Sequence, residues 1–264
     1  MILATDWHLV WERISSPDSV FWHALAATIY IAVLAQLIGV VLGLVAALMR
    51  MSRIPPLRLL SGLYVWFFRG TPVLVQIVFM YYGVNILFGF AIIPNSVDFG
   101  LFTLDGAIIA GILALGINEG AYMREIVRAG IDSVDKGQME AARSLGMPYG
   151  LAMRRIVLPQ AARVIVPPLG NEFNNMIKTT SLLSVISVVE IFYDAEIRYS
   201  QNFKYLEYLI AVSFWYLVLT TIWTLVQTWI ERKLGASERG DEQSLWERAR
   251  QVWTRTPQWS TGAR

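Results

Sequence analysis

Cysteine is absent from the 264 residues. That excludes disulfides, thiolate metal ligands and cysteine nucleophiles in one step. Histidine is nearly absent: His8 and His23 stand alone, without metal-ligand spacing or paired carboxylates, so zinc and imidazole-base chemistry have little to work with. Neither G-x-S-x-G nor H-E-x-x-H occurs. Lys178-Thr179-Thr180 has the ending of a phosphate loop, but Ile177 stands where that loop needs glycine. The chain is therefore expected to hold no metal, to bind no cofactor or ATP through a P-loop, and to catalyse no covalent reaction.

Charge is also scarce where it matters. Between Asp18 and Arg50 there is no Asp, Glu, Lys or Arg, and His23 is the one histidine. The formal net charge is +2 with a pI near 8.9, and the basic residues gather at the ends of apolar blocks. That grouping is a membrane-orientation signal, and no nucleic-acid partner is expected.

What the chain has in quantity is hydrocarbon. It is 55% hydrophobic with a mean hydropathy of +0.48, and the apolar residues come in long blocks rather than stripes, which places it in the integral membrane class with a lipid bilayer as partner. The uncharged run after Asp18 exceeds the roughly 20 residues needed to cross about 30 Å of hydrocarbon. It is also too long for the apolar core of a cleaved signal peptide, roughly 7–15 residues, so it is expected to remain in the mature protein. An all-α integral membrane fold with five transmembrane helices is predicted, over 22–49, 58–89, 104–123, 165–191 and 206–230. The second is interrupted at FRGTP, where Gly70 and Pro72 form a predicted hinge.

Basic residues set the orientation. Arg13 alone precedes the first span, the link 90–103 has neither Lys nor Arg, and the link 192–205 has Arg198 and Lys204. The opposite links carry Arg50, Arg53 and Arg58, then seven residues from Arg124 to Arg163, then Arg232 and Lys233. The positive-inside rule puts the N-terminus outside and the C-terminus in the cytosol. Residues 1–21 read as an extracytoplasmic segment. Residues 233–264, mixed in charge with scattered Trp, read as a partly disordered cytosolic tail.

One cytosolic connection is built for a helix. In KGQMEAARSLG, Lys136 to Gly146, Ser133 or Asp135 can cap the start, Glu140 can pair with Arg143, and Gly146 with Pro148 ends it. Such a helix is marginal alone in water, so something must hold it. Met139, Ala142 and Leu145 form a modest apolar strip, and two adjacent alanines let another backbone approach, which is the description of a plug for a groove in a partner.

The pattern E-A-A, three residues, G, nine residues, I-x-L-P is matched by Glu140, Ala141, Ala142, Gly146, Ile156, Leu158 and Pro159, with Gly137 just before it. It resembles the cytoplasmic loop of permease subunits in ABC importers. FRGTPVLVQIVFMYYG, EGAYMREIVRAGIDSVDKGQ, LPQAARVIVPPLGNEF and KTTSLLSVISVVEI extend the resemblance to the polar amino-acid branch, which handles histidine, glutamine, glutamate, arginine and opines. The resemblance implies a type I importer permease core over 22–232, similar to that of methionine importers, in a bacterial inner membrane. It implies partners as well: ATP-binding cassette ATPase subunits that bind ATP-Mg, an extracytoplasmic amino-acid-binding protein, and a second permease subunit, the same or homologous. The loop helix would dock in a cleft of the ATPase.

Polar side chains within spans tend to face a bundle interior or a water-filled path. On that basis Arg69, Asn118, Glu119, Asn171, Asn175 and Lys178 are expected to line the substrate path, the last three sharing one helical face. Glu119 departs from the smaller residue common in the family, and a carboxylate there would suit a basic substrate. The rival reading is an ion-coupled secondary transporter using Glu119 and Lys178. No inverted repeat supports it, and the E-A-A loop would have no purpose in it.

Overall fold

The structure is a computed structural model that describes residues 5–98, 100 and 103–235. Helix α1 (Trp7–Ser15) leads into α2 (Ser19–Met51), whose uncharged body explains its length. At 1.5 Å per residue α2 runs about 50 Å, longer than the hydrocarbon, so its ends project or tilt. Asp18 caps it by accepting a hydrogen bond from the Phe21 amide at 3.0 Å.

Helix α3 (Pro55–Gly70) starts with proline in its first turn, where no intrahelical donor is needed. It is followed by α4 (Val73–Val78), a π-helical turn Phe79–Gly83 and α5 (Val84–Phe88). The two halves meet at 104°, so the predicted interruption of the span 58–89 is a sharp break in the helix. The turning point is Thr71–Pro72, both extended; proline forces its predecessor out of the helical region. Gly70 stays helical, and the predicted hinge centres one residue later.

The link to the next span is not purely irregular. Strands β1 (Ser96–Asp98) and β2 (Thr103–Asp105) pair antiparallel, Val97 opposite Leu104, in a chain predicted all-α. Helix α6 (Gly106–Asp132) then continues nine residues past the predicted end at 123. The loop helix is α7 (Lys136–Ser144), followed by α8 (Tyr149–Ala152), a π-helical turn and α9 (Leu158–Thr179). A 3-10 segment, Thr180–Ile186, precedes α10 (Ile191–Asn202), and α11 (Tyr205–Lys233) follows. Three helices are long and apolar enough to cross a membrane, or up to five if each bent pair is one span. Apart from residues 233–235, the predicted cytosolic tail lies outside the described residues, as do residues 1–4 of the N-terminal segment.

The core is the α2–α6 pair. Small residues face each other along its length: Gly39 sits against the Glu119 side chain, and a Cβ on Gly43 would collide with Met123. Ala35 is fully buried, and a Cβ on Gly116 would meet Ile38 and the Ala35 carbonyl in the same seam. In lipid, close backbone approach of this kind supplies the packing energy that solvent exclusion supplies in water.

On the other edge, α1 is tied to the beginning of α11. Lys204 Nζ pairs with Asp6 at 2.7 Å, and Trp215 Nε1 donates to the Arg13 carbonyl. Arg198 on α10 grips Asp18 through both terminal guanidinium nitrogens, at 2.8 and 2.9 Å.

Candidate functional site

Two regions concentrate the sequence-predicted residues. The first is α7. Asp135 caps it, accepting from the Gly137 amide at 2.6 Å, while Ser133 donates to the Gly130 carbonyl instead. At its end Gly146 has φ +81°, and the amides of Gly146 and Met147 donate to the carbonyls of Arg143 and Ala142. That is a left-handed glycine cap closing two orphan carbonyls. The apolar strip does not face outward as a unit. Ala142 is buried, and Met139 packs with Ile131, Val157 and Ala161 of its own chain. A helix this short needs a packed face, and it takes that face chiefly from α8 and the π-helical turn Met153–Val157, with Ile131 and Ala161 in the same cluster. Gly137, Glu140, Ala141 and Leu145 remain exposed, and no Glu140–Arg143 ion pair forms among the described residues. Downstream, Leu158 and Pro159 are exposed and Ile156 is half-buried.

The second region is a cavity of about 400 Å³ where the α3–α4 break, α6 and α9 converge. Thr71 and Pro72 come from the break, Asn118, Glu119 and Tyr122 from α6, and Glu172, Asn175 and Thr179 from α9. The break is stitched rather than loose. Gln76 Nε2 donates to the Phe68 carbonyl at 2.9 Å and to Thr71 Oγ1 at 2.8 Å. Asn118 Nδ2 donates to the same Phe68 carbonyl and to Gln76 Oε1. Carbonyls orphaned at the end of α3 are thus satisfied by side chains that also shape the cavity wall.

Of the six residues predicted to line a path, Asn118, Glu119 and Asn175 do line this cavity. The other three do not. Arg69 stacks over the Tyr122 ring, 5.0 Å from its centroid; Asn171 accepts from Gln227 of α11 at 3.2 Å; Lys178 is exposed beyond the lining. The helical face that matters on α9 is Glu172, Asn175 and Thr179, one residue out of phase with the predicted one. Tyr122 lies one turn beyond Asn118, so that spacing alone would have found it.

Among the described residues no group of three His, Asp or Glu side chains has metal-binding geometry. What the cavity offers is non-covalent: two carboxylates, two amides, hydroxyls and an aromatic wall. That suits a small polar ligand.

Residues 39–236 match the family described as binding-protein-dependent transport system inner membrane component. The chain belongs to this family. An arginine transport system permease protein, ArgU of Corynebacterium glutamicum, is 41% identical over 226 residues, covering 83% of this chain and 68% of ArgU. A solved structure of an amino acid ABC transporter with histidines is 40% identical, with a TM-score of 0.70 over 81% of this chain and 94% of that one. The MetNI methionine ABC transporter in an inward-facing conformation has a TM-score of 0.66 at 16% identity, over 83% and 99% of the two chains. This last likeness speaks to the fold, which is that of type I ABC permeases.

Proposed function

We propose that the chain is the permease subunit of an ATP-driven amino-acid importer, with the cavity between α3–α4, α6 and α9 on its translocation path. The observation that carries this reading is α7. A nine-residue polar helix, capped at both ends and packed on α8 and the turn Met153–Val157, holds Glu140, Ala141 and Leu145 outward beside Gly146. A family of binding-protein-dependent transport components gives that outward face a purpose: docking to ATP-binding cassette ATPase subunits.

In this reading the chain crosses a bacterial inner membrane five times, N-terminus outside and C-terminus in the cytosol, as the basic residues indicate. The bent pair α3 with α4–α5 and the bent pair α9 with α10 each count as one crossing. One such subunit cannot readily enclose a gated path, so a second permease, identical or homologous, completes it. An extracytoplasmic binding protein presents the amino acid. ATP-Mg binds to the partner ATPase, whose closure moves α7 and, through the packed ends of α6 and α9, the walls of the cavity. ATP shifts the permease only by binding one conformation better than the other. This chain contributes a lever and a conduit, and no cofactor of its own.

Family membership and amino-acid-transporting relatives support this reading over the ion-coupled alternative. The test is uptake into vesicles depleted of ATP while ion gradients are held. Uptake that stops supports the proposal; uptake that persists sinks it.

A further inference from the structure

We propose that α1 is a membrane-interface anchor, with Trp7 and Trp11 seated at the boundary between lipid headgroups and acyl chains. This holds whatever the chain transports and whichever leaflet α1 meets.

The helix has two faces. On the inner one Val10 is buried, and Leu9 packs against the cluster of Phe21, Ile191, Tyr208 and Val212, where α2, α10 and α11 meet. The outer face divides lengthwise. Trp7 and Trp11, one turn apart, are 66% and 68% exposed. His8 and Glu12, also one turn apart, are exposed about 100° further round the helix. A single apolar residue on a surface needs no explanation, but two indoles in register beside a polar row make an amphipathic outer face.

Charge fixes the level of that face. Just beyond the end of α1, Asp18 pairs with Arg13 at 3.1 Å and with Arg198, which also holds Asp194 at 2.9 Å. Charges of this kind belong outside the hydrocarbon. The uncharged run of α2 starts directly after Asp18, and there Trp22 and Trp215 stack with ring centroids 5.4 Å apart, the Trp215 indole donating to the Arg13 carbonyl at 3.3 Å. Val20 and Trp22 are exposed, at 53% and 47%, so the apolar surface of the first span begins where α1 ends. The other end of α1 is held as well: the Asp6 amide donates to Glu207 Oε1 at 2.9 Å, and the Asp6 carboxylate pairs with Lys204. These ties lay α1 along the first turns of α11.

Indole suits such a boundary because its ring is apolar while its N–H needs a polar partner, which headgroups supply. A lipid boundary also meets both rows at once, with acyl chains against Trp7 and Trp11 and water over His8 and Glu12.

Because the chain has no cysteine, single substitutions can each carry one nitroxide label. Trp7→Cys, Trp11→Cys, His8→Cys and Glu12→Cys are labelled in the tagged chain with its co-purifying subunits, in nanodiscs of phosphatidylethanolamine and phosphatidylglycerol. The cysteine-free parent, carried through the same labelling, supplies the background. Collision of the label with oxygen, which concentrates in hydrocarbon, is compared with collision with a water-soluble nickel chelate. The oxygen-to-nickel ratio is expected to be several-fold higher for Trp7→Cys and Trp11→Cys than for His8→Cys and Glu12→Cys. Each tryptophan variant keeps the other indole, so the anchor is weakened and not removed. Ratios that do not differ between the two pairs would overturn the proposal. So would low collision with both reagents at the two tryptophan positions, the mark of a protein chain covering the indoles.

Discussion

The loop helix α7 and the α3–α6–α9 cavity are built in opposite ways. α7 is written in consecutive residues: its cap at Asp135, its packed residues Met139 and Ala142, and its stop at Gly146 all lie within twelve positions. The cavity draws on residues from Thr71 to Thr179, and each wall depends on a neighbouring helix for its position. The difference lies in what a substitution can reach. Exposed residues of α7 have few contacts within the chain, so changing them should leave folding alone. Residues around the α2–α6 seam and the break hold the walls together, so changing them should be felt as stability before transport.

The largest expected effect breaks transport without touching the fold. Glu140→Lys should abolish ATP-dependent uptake, while membrane insertion and the melting temperature stay at wild-type values, because the Glu140 side chain is exposed and has no hydrogen-bond partner among the described residues. A matching loss of melting temperature would erase the contrast between the two regions. The converse case is Gly43→Val. It forces a side chain into Met123 and the α6 backbone, and overpacking of this kind costs about 1–3 kcal/mol. A lowered melting temperature and reduced detergent-stable yield are expected whether or not ATPase subunits are present.

A third change sharpens the comparison in the C-terminal half of α6. Ser61 on α3 donates to the Ala46 carbonyl of α2 at 2.7 Å and accepts from Arg124 Nε at 3.2 Å. Arg124 also pairs with Glu125. Ser61→Ala leaves a buried guanidinium nitrogen and a carbonyl less satisfied, and a loss of about 1–2 kcal/mol is expected in the thermal melt.

The smallest effect lies outside the spans. Hydrogen bonding from Arg198 holds the Asp18 carboxyl well below its ordinary 3.8, at about 2. A carboxyl lowered in the folded state stabilises fully above pH 3.8, and that contribution is lost as pH falls toward 2. Asp18 is 42% exposed, so solvent screening keeps the contribution to about 1 kcal/mol or less. Asp18→Asn should remove this part of the acid sensitivity in a melt followed from pH 5 to pH 2.

How much was legible follows the same division. The long apolar blocks placed α2, α6 and α11 within a few residues, except that α6 continues to Asp132 because its charged end forms its own ladder, Arg128 pairing with Glu125 and Asp132. The α7 helix was legible because caps are local chemistry. Its orientation was not: Met139 and Ala142 suit a partner's groove and their own chain's core equally well, and the way the chain folds back through α8 and Met153–Val157 decides.

The cavity was half legible for a related reason. Asn118, Glu119 and Asn175 are visible as polar residues in apolar spans, but helical phase decides which side faces the cavity. Asn171 turned out to serve α11 instead. The hairpin at Ser96–Asp105 left no alternating run long enough to read, with three residues per strand. The resemblance to importer permeases rested on the linear stretches, and those are the ones the family match covers.

The most direct measurement is purification of the tagged chain in mild detergent with its subunits weighed by mass spectrometry, alongside Glu140→Lys. The account predicts an ATPase subunit in equal number with permease chains in the wild-type complex, and its loss from Glu140→Lys at unchanged permease yield. A stable wild-type complex without an ATPase, or one that Glu140→Lys leaves intact, would contradict it.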